Sequence, residues 1–173
     1  MKLNAKFGTL SFFILVAALS RLLPHPPNFT PILSMGLFAG AHFENKKGTF
    51  IVLLGSMLLS DLFLGFHSTL PAIYAILGLI TVLGFWLRNK TSITKIVVSS
   101  ILASAVFFVL SNFAVWAMGS YYPKTWVGIV ECYTLAIPFF GNTLASTLLY
   151  SAAIFGAYQL CEKLFLSKFR LAK

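Results

Sequence analysis

The apolar residues of this chain gather into six stretches, and its basic residues fall almost wholly into alternate gaps between them. The stretches run about Phe7–Leu23, Thr30–Phe43, Thr49–Phe66, Leu70–Leu87, Ile96–Gly119 and Asn142–Leu160. Of 13 Lys and Arg residues, 11 lie on the side of the N-terminus: Lys2, Lys6, Lys46, Lys47, Arg88, Lys90, Lys95, Lys163, Lys168, Arg170 and Lys173. Only Arg21 and Lys124 lie on the other side. Cytoplasmic loops retain Lys and Arg, so the bias predicts an all-α integral membrane bundle of six transmembrane helices with both termini inside. The expected location is the inner or plasma membrane of a cell.

Composition requires lipid. Hydrophobic residues make up 58% of the chain and charged residues 10%, with a mean hydropathy of +0.88. A soluble domain carries about a quarter charged residues. One aqueous core cannot hide this much apolar surface. The length fits a single domain, 1–173. The net charge of +9 is spread over inner loops and the basic tail 161–173. Topology and anionic lipid account for it, and nucleic acid is not expected as a partner.

The second stretch tests the scheme. Thr30–Phe43 reaches only near 20 Å at about 1.5 Å per residue, the length of a re-entrant element. Making it re-entrant would reverse every later loop and put 10 of the 13 basic residues outside. It is therefore read as a short span, with Pro31 at its first turn. Lys2 and Lys6 before an apolar run, with Ala18-Leu19-Ser20 beyond, resemble a signal peptide. The run is long enough to span, and a retained helix serves the charge pattern. Ile129–Leu160 is too long for one straight span, about 48 Å for 32 residues. Pro138 and Gly141 are expected to divide it into an outer cap within 120–140 and span 6. The tail, with Leu164, Phe165, Leu166 and Phe169 among its basic residues, is expected to lie as a short helix on the inner surface.

Few residues carry chemistry. Asp61 lies about five residues from the outer end of span 3, where a lone carboxylate is costly unless paired or wetted. It reads as a ligand contact, an ion or proton site, or a partner for Arg21; a helix-packing salt bridge is the plainer alternative. Arg21 either snorkels, pairs with Asp61 or Glu131, or contacts an anion. His25 and His67 lie in outer turns, and His42 lies at the inner boundary. A zinc site from His25, His67, Asp61 and Glu131 lacks the helical His spacing of such sites, so no metal or other cofactor is expected. Span 5 carries Ser104, Phe108, Asn112 and Trp116 in one row, and span 6 carries Asn142, Ser146 and Tyr150 in another. Such rows join helices or face a ligand. Trp116, Tyr121, Tyr122 and Trp126 line a pocket or form an aromatic belt. Gly36-x-x-x-Gly40, and Ala152/Gly156 with Ala153/Ala157, permit close helix approach within this chain or to a partner. Cys132 and Cys161 lie at opposite membrane levels, too far apart for a disulfide. No nucleotide-binding P-loop and no hydrolase motif is present.

The segments RLLPHPPNFTPILSMGLFAG, SDLFLGFH, SNFAVW…YYPKTW and IPFFGNTL resemble a family of small bacterial membrane proteins. That family is similar to the substrate-binding S components of energy-coupling-factor vitamin transporters. The resemblance implies six helices, termini inside, and an outer-facing pocket that binds a vitamin-like or other small micronutrient for uptake. It also implies a membrane-embedded coupling subunit and cytoplasmic ATPases as partners. The expected pocket residues are Arg21, His25, Asn28, Asp61, His67, Asn112, Trp116, Tyr122, Glu131 and Asn142. One departure stands out: span 1 lacks the Ala-x-x-x-Ala pair with which many S components dock. A scaffold or anchor subunit is the alternative, and an intramembrane enzyme using Asp61, His67 and Glu131 a further one.

Overall fold

The computed structural model describes residues 5–88 and 91–166. It is all-helical: α1 Ala5–Ser20, α2 Ile32–His42, α3 Lys46–Leu64, α4 Leu70–Phe85, α5 Ile93–Met118 and α6 Trp126–Cys161. Three helices are long and apolar enough to cross a membrane: α3, α5, and α6 with its continuation to Leu164. The others are apolar but shorter.

An apolar core is present, but the surface differs from that of a water-soluble protein. Large apolar side chains stand outside, with Phe63 77% and Ile51 72% exposed. Hydroxyls lie inside, among them Ser34, Thr81, Ser100, Ser104 and Thr147, each 0% exposed. Hydrocarbon can solvate the first set, whereas the second must find partners within the protein. Ser100 Oγ donates to Ser151 Oγ at 3.1 Å, Ser151 Oγ to Ser34 Oγ at 3.1 Å, and Ser34 Oγ also to the Thr147 carbonyl at 2.8 Å. This chain of hydroxyls joins α2, α5 and α6.

The shortest helix is the hub. α2 touches each of the other five helices, and Ile32 through Ala41 are all buried. Its tightest partner is α4, and glycine is the reason. A Cβ on Gly40 would stand 2.8 Å from Gly84 Cα, and one on Gly84 would stand 3.0 Å from Leu37 Cα. The Gly36-x-x-x-Gly40 motif thus packs within this chain. Gly36 sits against Leu77 and Ile80, and Gly40 against Thr81 and Gly84, so the two helices run parallel. Ala152, Ala153, Gly156 and Ala157 of α6 are exposed instead.

The parallel pair has two unlike ends. Where α2 and α4 finish, Arg88 donates from Nε to the Gly40 carbonyl at 2.9 Å and from Nη2 to the Phe43 carbonyl at 2.6 Å. These bonds satisfy carbonyls that a helix C-terminus leaves unpaired. Nearby, Lys6 pairs with Glu44 at 2.8 Å, which holds the Glu44 carboxyl below its ordinary value. Where α2 and α4 begin, neither has a side-chain cap. By contrast, Asn45, Ser92 and Thr125 cap α3, α5 and α6.

One expectation is corrected. Pro138 and Gly141 do not divide the last segment: α6 runs unbroken for 36 residues, about 54 Å at 1.5 Å per residue. Proline removes one backbone donor, but α5 supports the helix on both sides of it. Tyr133 Oη donates to the Val109 carbonyl at 2.6 Å, and Phe140 packs on Phe108 at 5.2 Å between ring centroids. The separate cap over 129–140 is therefore the first half of α6. The start of the tail is a π-helical turn, Glu162–Leu166, continuing from α6. The remaining tail residues, like Lys2 and Lys90, lie outside the described residues. Cys132 and Cys161 are both free thiols.

Candidate polar cavity beside the helix N-termini

A cavity of about 380 Å³ opens at the end where α2 and α4 begin. Arg21 and His25 reach it from the segment after α1, and Asn28 and Thr30 from the proline-rich loop. His67 and Thr69 come from the turn before α4, Ser111 and Asn112 from α5, and Thr143, Ser146 and Thr147 from α6. Ile32, Leu33, Ile73, Phe107 and Val115 supply its apolar walls.

The proline-rich loop is held over the cavity by one face of α6. Asn142 Nδ2 donates to the Pro27 carbonyl at 3.0 Å, Ser146 Oγ donates to the Asn28 carbonyl at 3.4 Å, and Tyr150 packs on Phe29 at 6.2 Å. The row Asn142, Ser146, Tyr150 matches Pro27, Asn28, Phe29 step for step. Asn28 itself has φ 61°, a left-handed conformation that asparagine tolerates better than most residues. His25 Nδ1 meets the Pro26 carbonyl at 2.9 Å, and His67 Nδ1 meets Thr69 Oγ1 at 2.9 Å.

Behind the cavity wall stands a buried ion pair. Arg21 Nη2 donates to Asp61 Oδ1 at 2.8 Å, the side chains being 13% and 2% exposed. Tyr74 Oη donates to Asp61 Oδ2 at 2.8 Å. Arg21 Nη1 donates to Ser60 Oγ and, at 3.4 Å, to Met57 Sδ. Both carboxylate oxygens thus have a donor, as a carboxylate this deeply buried requires. The network ties the end of α1 to α3 and α4. Arg21 Nε is buried and without a partner.

Of the ten residues expected at a pocket, Arg21, His25, Asn28, His67 and Asn112 line this cavity. Asp61 sits one layer back as the counter-ion of Arg21. The other four stand elsewhere. Trp116 donates from Nε1 to the Pro123 carbonyl at 3.0 Å and borders a separate groove with Lys124 and Trp126. Tyr122 is half-buried outside the cavity, and Glu131 is exposed on α6. Asn142 holds the loop rather than facing the cavity. The hydroxyls Thr30, Thr69, Ser111, Thr143, Ser146 and Thr147 are the polar lining residues that sequence reasoning did not select. Ser146 alone had a signal, its place in the row with Asn142. Among the described residues, no three of His, Cys, Asp and Glu lie close enough to hold a metal ion.

No curated protein and no solved structure matches the chain. A family model does match, and it spans residues 1–169. The chain therefore belongs to DUF6580, described as a family of unknown function.

Proposed function

We propose that this protein is a six-span membrane protein, termini inside, that binds a small molecule in the polar cavity and takes it up from the outer side. The cavity carries the reading. Its volume of about 380 Å³ falls within the roughly 300–1,000 Å³ of small-molecule sites. Its lining draws on four helices and two connecting segments. The 11-to-2 distribution of basic residues supports an outward orientation of that end of the bundle. The plan is S-component-like: a binding subunit without nucleotide chemistry of its own, energised by a membrane-embedded coupling subunit and cytoplasmic ATPases.

Docking on such a partner would use a surface other than α1. The exposed Ala152, Ala153, Gly156 and Ala157 of α6 permit close approach of a neighbouring helix. A scaffold subunit would use the same face, and this is the observation that favours the second reading. The enzyme reading has less support. Asp61 is spent on Arg21 and Tyr74, His67 on Thr69, and Glu131 is exposed on α6.

Small molecules that co-purify with the full chain test the proposal. Mass spectrometry should find one compound at near-stoichiometric yield in wild type and several-fold less in Asn112→Ala. A wild type that carries nothing beyond what an unrelated membrane protein carries would remove the uptake reading and leave the scaffold.

A further inference from the structure

Four features of the cavity bear on the charge of what it holds. First, none of the chain's four acids lines it. Asp61 faces Arg21 from behind, Glu131 is exposed on α6, Glu44 pairs with Lys6, and Glu162 follows α6. Second, the lining includes one guanidinium and two imidazoles. Third, α2 and α4 both begin at the cavity, since Thr30, Ile32 and Leu33 line it at one and Thr69 and Ile73 at the other. Parallel helices add their dipoles, so two partial positive charges stand side by side there. Fourth, these two helices have no side-chain cap, while α3, α5 and α6 each have one.

The missing cap on α2 matters most. Pro31 has no side-chain oxygen to offer the first-turn amides, and Ile32, Leu33 and Ser34 are 8%, 2% and 0% exposed. Buried first-turn N–H groups need an acceptor from somewhere. At α4 the Thr69 hydroxyl is turned to His67 instead. A cation would meet two positive helix ends and no carboxylate. A neutral ligand would leave those ends uncompensated. The one arginine is already balanced by Asp61 at 2.8 Å, so a single negative charge matches the site better than two.

Building on the uptake reading, we infer that the cavity's ligand is a small organic monoanion carrying a carboxylate. The carboxylate accepts from the first turn of α2, with Arg21 beside it. Asn28, Asn112, Ser111 and Thr143 contact a polar body, and Phe107 packs against its apolar side. The site selects the anion through backbone amides and helix ends rather than through a free cationic side chain.

The test uses the full chain in lipid nanodiscs. Compounds released on denaturation are separated by anion exchange and identified by mass. A panel of small monocarboxylic acids, each paired with its own carboxamide, is then titrated by thermal shift. The released compound should carry one carboxylate, and acids should bind at least ten-fold more tightly than their amides. Thr30→Asp places a carboxylate at the α2 end, where it stabilises the helix while competing with the ligand. It should reduce the acid-over-amide preference at least ten-fold relative to the neutral Thr30→Asn. A released compound that is neutral or cationic, or an amide that binds as well as its acid, overturns the anion and leaves the uptake reading standing. No released compound and no shift with any acid or amide removes both. An acid preference that Thr30→Asp leaves intact overturns the placement at α2.

Discussion

The two ends of the α2–α4 pair are built from the same helices and finished in opposite ways. At one end Gly40 and Gly84 bring the backbones together, and Arg88 occupies the carbonyls of Gly40 and Phe43. At the other end the helices begin without side-chain caps beside a 380 Å³ cavity. A helix start without a side-chain cap leaves its first-turn amides to whatever occupies the space beside it. In the function we propose, the sealed end supplies rigidity and the open end recognition.

The contrast can be broken most severely at the wall of the open end. Asp61→Asn leaves the Arg21 charge without its counter-ion, and loss of one partner of a buried pair costs about 3–5 kcal/mol. A large fall in Tm is expected. The double variant Arg21→Met/Asp61→Leu should recover most of it, since it leaves no buried charge alone. Next comes the sealed end. Gly84→Ala puts a Cβ 3.0 Å from Leu37 Cα, and with backbone unable to yield the cost should reach about 3 kcal/mol. The same substitution at Gly55, which has nothing within 4 Å, should be neutral or slightly stabilising. Arg88→Ala removes two charge-assisted bonds to carbonyls and should cost about 2 kcal/mol. An Arg88→Ala protein that melts like wild type would show that the carbonyls at the sealed end do not need it.

The smallest effect concerns pH. The Glu44 carboxyl is lowered from 4.5, first by its hydrogen bond to Lys6 and then by the charge of Lys6. A depressed carboxyl contributes stability above its unfolded value and loses it as pH falls through its folded value. The Tm gap between wild type and Glu44→Gln should therefore be present at pH 7 and shrink to nothing below pH 4.5. The residue is exposed, so the gap should be small.

Hydropathy and charge made the helices legible, because lipid imposes length and apolarity on any span. Depth was legible too: Arg21, His25, Asn28, His67 and Asn112 meet at one level. Direction around the helix was not. Trp116, Tyr122 and Glu131 lie near that level but point elsewhere, since an aromatic segment reads alike whether it faces a cavity or a headgroup. Gly36 and Gly40 announced a close contact, while Gly84, which completes it, carried no motif. Pro138 misled because proline breaks helices only where neighbours do not hold them, and α5 holds this one. The helix N-termini escaped notice for a simple reason. Backbone amides have no letter in a sequence, and only the absence of Ser, Thr, Asn or Asp at Pro31 hinted at them.

Under the proposed uptake, the brevity of α2 bears on the size of the ligand. Eleven residues rise about 16 Å, roughly half of a 30 Å hydrocarbon layer. The vacated half of that column is the room in which Thr30, Asn28 and His25 close over the cavity. On that proposal, capacity is set by counting residues rather than by carving side chains. Each residue added to the start of α2 would raise its floor by about 1.5 Å, and the same proposal predicts a smaller ligand for a relative with a longer second helix.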